Sequence, residues 1–327
     1  MTKDTRFPTL HVVGDSIPSA FYRAMDAVWN NGASVRTEYD RKDASGEYID
    51  PPSRDARVLI EVIDPFKEPR FPIASFSEVG TYIAELMGAK DHMVVPLGEL
   101  KVAVTGGNLE ATEWPYTYHQ RLTAHPDMDG SEVNQLELAL DRVAETPYTR
   151  RAVADTAVPN LDPYLKEDVP CLREIQLRAL EDDDGALVLN MNTVWRSRDL
   201  YKAWADNVIA VTFLQRELAR DLERKTGKPV MVGSYADYST SLHIYGQDFS
   251  HVEGDAERGL RSFLDNFPEE EDFINRSMRS GDASETLVIP QLEGLLTEEG
   301  RRQWNFPPES IELIEGMINS LKKGETP

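Results

Sequence analysis

One cysteine among 327 residues leaves nothing to pair with inside the chain, so a disulfide framework and multi-cysteine zinc or iron–sulfur sites are excluded. No stretch approaches the ~18 consecutive apolar residues of a membrane-spanning helix, and the opening Met1 to Pro8 is too polar for a secretory signal. Basic residues are scarce: 35 Lys and Arg against 57 Asp and Glu give a net charge of −22. That balance argues against general nucleic-acid binding, which depends on cations neutralising phosphates. It also makes any local arginine cluster informative, because such a cluster works against the long-range field. Internal repeats and low-complexity tracts are lacking too. What is present, 40% apolar residues over a chain of this length, is ample for a buried core. The expectation is a soluble, cytoplasmic globular protein.

The segment Arg41 to Asp55 (RKDASGEYIDPPSRD) is rich in turn formers and predicts a loop, followed by a strand over Val58 to Ile63. Phe76 to Met87 and Glu132 to Val143 read as helices. Ile175, Leu177 and Ala179 alternate with polar residues, and alternation resumes at Leu187, Leu189 and Met191 after Asp182-Asp183-Asp184-Gly185. Period two on both sides of an Asp-Gly turn predicts a hairpin. Val211, Leu214, Leu218 and Leu222 then mark one face of a long helix, with Gly227 and Pro229 as stop signals. An extended stretch runs from Val230 towards Tyr245, and the charged tail after Glu253 reads as helical. Strands interleaved with long helices, without strict βαβ alternation, predict an α+β fold with helices packed on a mixed sheet. No linker divides the chain.

Cys171 follows Pro170 just before the first hairpin strand. A lone cysteine is by itself most often a small buried hydrophobe. Here arginines flank it in sequence: Arg150-Arg151 before, and Arg196 with Ser197 after. Guanidinium groups suit a phosphate dianion through paired hydrogen bonds, and they favour the nucleophilic thiolate. Arg196 ends an otherwise apolar strand, where an unpartnered charge is expensive; a ligand or an acid such as Asp199 is the expected answer.

The order of four segments then resembles the thymidylate synthase and pyrimidine nucleotide hydroxymethylase superfamily. They are TRRAV (Thr149 to Val153), VPCL (Val169 to Leu172), WRSRDLYKAWADN (Trp195 to Asn207) and LHIY (Leu242 to Tyr245). The likeness covers Arg54 to Phe249, about 60% of the chain. It implies a single thymidylate synthase-like domain over 1–327 with a divergent acidic extension from about residue 254. It also implies an obligate homodimer formed through the sheet, with shared active sites. By resemblance, Cys171 is the nucleophile that adds to C6 of a pyrimidine ring, so that C5 gains carbanion character. Arg196 and Ser197 match phosphate ligands, Arg150 and Arg151 the pair that reaches into a neighbouring subunit's site, and Arg54 a phosphate ligand on a mobile loop. Arg36, Arg41 and Arg57 are rivals for that last role. His243 and Tyr245 match sugar ligands, Glu85 in YIAELM the proton-shuttling carboxylate, and Tyr116 a tyrosine lining the nucleophile pocket, with Tyr118 adjacent. Asp199 matches the acid that binds the pterin ring, so the implied cofactor is 5,10-methylene-tetrahydrofolate.

Asn207 lies eleven residues after Arg196, where the family reads the pyrimidine edge. An amide there pairs with uracil, whereas an aspartate suits cytosine. A slip of one residue hands the position to Asp206. The sequence SLKKGETP at the C-terminus lacks the small apolar ending with which thymidylate synthases close over the folate, and Trp114 is the only trace of their tryptophan loop. Without closure, water reaches the exocyclic methylene and the product is hydroxymethyl rather than methyl. Leu172 and Trp195 also depart from the usual pattern. dUMP is the favoured substrate, with dCMP and CMP open. Thymidylate synthesis and a non-catalytic nucleotide-binding descendant are the alternatives. The six histidines show no short-spaced metal motif.

Overall fold

A computed structural model of the chain describes residues 6–74, 76, 78–96, 114–127, 131–165, 169–252 and 263–325. Its principal strands are β1 (Thr9–Gly14), β2 (Ala33–Val35), β3 (Ser53–Val62), β4 (Val153–Asp155), β5 (Leu172–Glu181), β6 (Leu187–Trp195), β7 (Arg198–Asp199) and β8 (Val230–Ile244). The helices used below are α1 (Ile17–Asn31), α2 (Val79–Leu86), α3 (Tyr118–Thr123), α4 (Gln135–Glu145) and α5 (Trp204–Thr226). Towards the C-terminus follow α6 (Glu270–Arg276), α7 (Ile289–Leu295), α8 (Glu298–Trp304) and α9 (Pro308–Lys322). This is the mixed α+β architecture predicted from the sequence. Among the described residues, no helix is long and apolar enough to cross a membrane.

The chain divides into two compact units, each drawn from three separate segments, which is why no linker is visible in the sequence. The first comprises Met1–Ser75, Trp195–Ala205 and Ala236–Arg279. In it β1 runs parallel to β3, with Leu10 opposite Val58 and Val12 opposite Ile60, and β2 flanks β3 antiparallel. β3 neighbours β8, which pairs in parallel with the short β7. α1 covers the β1–β3 face. Ser16 caps it by accepting from Ser19 N–H, and Ile17, Ala20, Phe21, Ala24, Met25 and Val28 form a buried stripe at helical spacing. Phe21 meets Trp204, Phe263 and Phe273, so residues far apart in sequence close this core.

The second unit comprises Phe76–Val194, Asp206–Tyr235 and Ser280–Pro327. Its strands follow the order β8–β6–β5–β4, with β4 antiparallel to β5. The predicted hairpin is β5–β6: Gly185 takes φ +82°, and Asp182 accepts from the N–H groups of Asp184 and Ala186. α5 buries Val211, Leu214, Leu218 and Leu222 and stops at Gly227, whose φ of +68° suits a residue without Cβ. From α5, the fully buried Gln215 amide donates to the carbonyls of Leu189, Gly233 and Ser234. The charged tail is not all surface: α7 and α9 bury Leu292, Leu295, Ile314 and Leu321.

Three expected boundaries move. α2 begins at Val79, not Phe76. α4 begins at Gln135, because Asn134 caps it and Glu132–Val133 instead pairs with His125–Pro126. β3 begins at Ser53, so Arg54 and Asp55 are strand residues rather than loop residues.

Candidate active site

In the second unit, Cys171 stands one residue before β5, where a loop enters the sheet. Its backbone N–H and that of Leu172 both donate to the Tyr118 hydroxyl, at 3.2 and 3.3 Å. The half-buried thiol lies 3.9 Å from the Val169 carbonyl. Arg173 donates to the Pro170 carbonyl at 3.3 Å and to Asp162 at 3.2 Å. Asp162 also faces Arg121, a fully buried guanidinium, at 3.4 Å. A phenol and an arginine–aspartate pair therefore hold the cysteine turn. The Tyr116 ring sits 5.7 Å from that of Tyr118 and the same distance from the Arg121 guanidinium. The hydroxyl that engages the cysteine backbone is that of Tyr118.

Glu85 occupies the last turn of α2. Burial raises its pKa, and Lys90, 3.2 Å away and itself 4% exposed, pulls in the other direction. The Lys90 ammonium lies over the rings of Trp304 and Trp114, at 4.2 and 5.0 Å. A carboxyl amid apolar helix residues is thus held in contact with a buried cation rather than left on a solvated face. Asn207 is half-buried in the first turn of α5. Beside it, burial and the charge of Glu78 push Asp206 up to about 7. One Asp206 oxygen is sealed from solvent without a hydrogen-bond partner. Arg150 and Arg151 are exposed after α4. Two cavities of about 460 and 360 Å³ lie along the later half of α5, and neither is lined by any of the predicted residues.

The first unit holds the other candidates. Arg196 was expected to end an apolar strand and to need a buried acid or a ligand. It lies one residue past β6 and is exposed. The buried arginine is Arg198, which pairs with Asp237 at 2.9 Å and stacks 3.8 Å from the Trp195 ring. Trp204 Nε1–H also donates to Asp237. Arg196 and Arg198 share the phase of a strand, so alternation alone does not say which one turns inward. Ser197 is half-buried between them. Arg54, placed by β3, has an Nε without a hydrogen-bond partner, whereas Arg41 is locked on Asp50 and Arg36 on Asp40 and the Asp50 carbonyl.

Asp199 sits in β7 opposite His243, and burial pushes it up to about 6 despite the N–H donated by Lys202. His243 and Tyr245 come together at the end of β8, with ring centroids 4.5 Å apart. Burial lowers His243 to about 4, leaving it neutral.

The thymidylate synthase family model matches residues 104–269, half of the chain. The chain belongs to the thymidylate synthase family. A provisionally named thymidylate synthase of Methanococcoides burtonii is 26% identical over 77% of this chain and 97% of its own length. Another so named, from Methanocaldococcus jannaschii, is 31% identical over 54% of this chain and 78% of its own. A third, from Methanosarcina mazei, is 26% identical over 73% and 90%. The family's reaction is folate-dependent transfer of a one-carbon unit to C5 of a pyrimidine nucleotide, and at that level it is the chemistry of this thymidylate synthase relative. Identities this low mark a divergent member.

Three of the residues described above are not singled out by the sequence, Lys90, Arg198 and Asp237, and Tyr118 is named there only as the neighbour of Tyr116. Tyr118 and Arg198 each stand two residues from a predicted one, Tyr116 and Arg196, and only their orientation sets them apart. Lys90 and Asp237 are ordinary surface types whose burial depends on partners distant in sequence.

Proposed function

We propose that this chain hydroxymethylates C5 of a pyrimidine nucleoside monophosphate, with Cys171 as the nucleophile. The thiolate adds to C6, and the ring's π electrons move onto C5 and O4. C5 takes up the one-carbon unit, its proton leaves through water ordered by Glu85, and the bond from that carbon to the folate nitrogen breaks with its electron pair going to nitrogen, which leaves an exocyclic methylene on the ring. Water then adds to the exocyclic methylene, the thiolate departs, and the products are the 5-hydroxymethyl nucleotide and tetrahydrofolate. When bound, methylene-tetrahydrofolate supplies the carbon. Asp199, a half-buried carboxylate with one oxygen taken by Lys202 N–H, retains an acceptor suited to a pterin N–H.

Arg196, Ser197 and Arg54 are the proposed phosphate ligands, joined by Arg150 and Arg151 from a second copy in a sheet-mediated homodimer. His243 and Tyr245 take the sugar, Asn207 reads uracil, and Tyr116 lines the nucleophile pocket beside Tyr118. The observation that carries the reading is the Cys171 turn, with both N–H groups anchored on a phenol and the thiol half-buried. The tryptophan loop is expected between α2 and Tyr116, a stretch of which 97–113 lie outside the described residues.

A second reading, cytosine in place of uracil, is favoured by Asp206, whose carboxyl is half protonated near neutrality and can donate to the ring. The test is tritium release from C5-labelled dUMP, UMP, dCMP and CMP with the folate, wild type against Cys171→Ala. Release is expected from one base only and is lost with the thiol; release that survives the substitution overturns covalent addition. A methylated product with dihydrofolate overturns hydroxymethylation, and no release from any nucleotide leaves a binding protein.

A further inference from the structure

Two buried acceptors at the start of β3 and the end of β8 lack donors. Ser241 Oγ–H donates to Asp55 Oδ2 at 2.8 Å, and the same oxygen lies 3.3 Å from His243 Nδ1. With its proton given to Asp55, Ser241 accepts from Nδ1–H, which fixes the tautomer and leaves Nε2 as a lone-pair acceptor. Asp55 Oδ1 and His243 Nε2 are both sealed from solvent, and neither has a hydrogen-bond partner. His243 as a whole is 6% exposed. Leaving two buried acceptors unpaired is costly, so a ligand that fits here must bring two O–H or N–H donors.

We propose that the sugar of the nucleotide is ribose, its 2′,3′-cis-diol donating one hydroxyl to Asp55 Oδ1 and the other to His243 Nε2. This rests on the reading of the chain as a pyrimidine nucleotide enzyme, and it adds Asp55 as the residue that selects the sugar. A 2′-deoxyribose supplies a single hydroxyl at this edge and leaves one acceptor unpaired. The charge states agree: burial holds His243 neutral at ordinary pH, and it pushes Asp55 up to about 6, so its carboxylate is an acceptor above that pH. The Tyr245 ring lies against the imidazole, and Tyr39, 63% exposed on the preceding loop, lies against Tyr245. Entry of the sugar requires that pair of rings to shift.

The experiment is direct binding by calorimetry of UMP, dUMP, CMP and dCMP to the full chain, together with the arabino epimers, in which the 2′-hydroxyl is trans. For whichever base binds, the ribonucleotide is expected to bind at least tenfold more tightly than its deoxy and arabino counterparts. Asp55→Ala brings the ribo-to-deoxy ratio to within threefold of unity. Asp55→Asn, which keeps the size of the side chain and guards against misfolding, lowers the ratio as well. Equal or tighter binding of the deoxynucleotide overturns the proposal and leaves the two acceptors to water. A ribose preference that both Asp55 variants retain also overturns it. The two readings fail separately: tritium release from deoxynucleotides alone sinks the ribose assignment and keeps the enzyme. Ribose-selective binding without release sinks the enzyme and keeps the diol site. If no nucleotide binds, both fall.

Discussion

Replacing Asp206 by asparagine removes an ionisable group from the first turn of α5 while keeping its size and one carbonyl acceptor. The carboxyl is pushed from an ordinary 3.8 up to about 7, first by burial and then by the charge of Glu78. A folded-state value above the unfolded one means that stability is fully present below about pH 4 and is lost as pH rises through 7. At about 1.4 kcal/mol per pH unit, the penalty on the ionised form reaches about 4 kcal/mol at pH 8.5 and is about 1 kcal/mol at pH 4.5. The residue is half-buried, so solvent screening brings the expected gain of Asp206→Asn at pH 8.5 nearer 2 kcal/mol. Urea unfolding of both proteins at pH 4.5, 6.5 and 8.5 measures it. The midpoint difference should widen with pH, and subtracting the wild type cancels the similar behaviour of Asp199 and Asp55. A difference that is constant across pH, or one that widens towards acid, refutes a raised Asp206. It would also remove the physical support for the cytosine reading.

Asp237→Ala strands the fully buried Arg198 guanidinium and the Trp204 indole N–H, and is expected to cost about 3–5 kcal/mol. The double variant Arg198→Met with Asp237→Leu should recover most of that loss in the same unfolding assay. Gly88 takes φ +100°, and a Cβ there would stand 2.7 Å from the His119 ring, itself held by Asp91. Gly88→Ala should therefore destabilise by about 1–3 kcal/mol, and His119→Ala in the same chain should return only the steric part of it.

Local rules were enough for much of this protein. Alternation around an Asp-Gly turn located the β5–β6 hairpin, and apolar spacing with a Gly-Pro stop located α5, because both signals act over a few residues of chain. The likeness of TRRAV, VPCL, WRSRD and LHIY was legible for the same reason: each is a short contiguous string. Capping was harder to read. Asn134 starts α4 later than its apolar pattern does, since a side-chain acceptor competes with helix propensity for the same N–H groups. Facing was not legible at all. Whether Arg196 or Arg198 turns inward depends on Asp237, a residue of β8 far along the chain. Whether Glu85 is solvated or pinned depends on Lys90 and on the rings of Trp114 and Trp304. The bond from Ser241 to Asp55, which joins Asp55 to His243, spans 186 residues of sequence. Sequence alone thus determined which residue types and local segments this chain brings to its chemistry. Tertiary structure decided which of them are buried and which lack partners, because burial and pairing are set by strands and helices that meet only when the chain is folded.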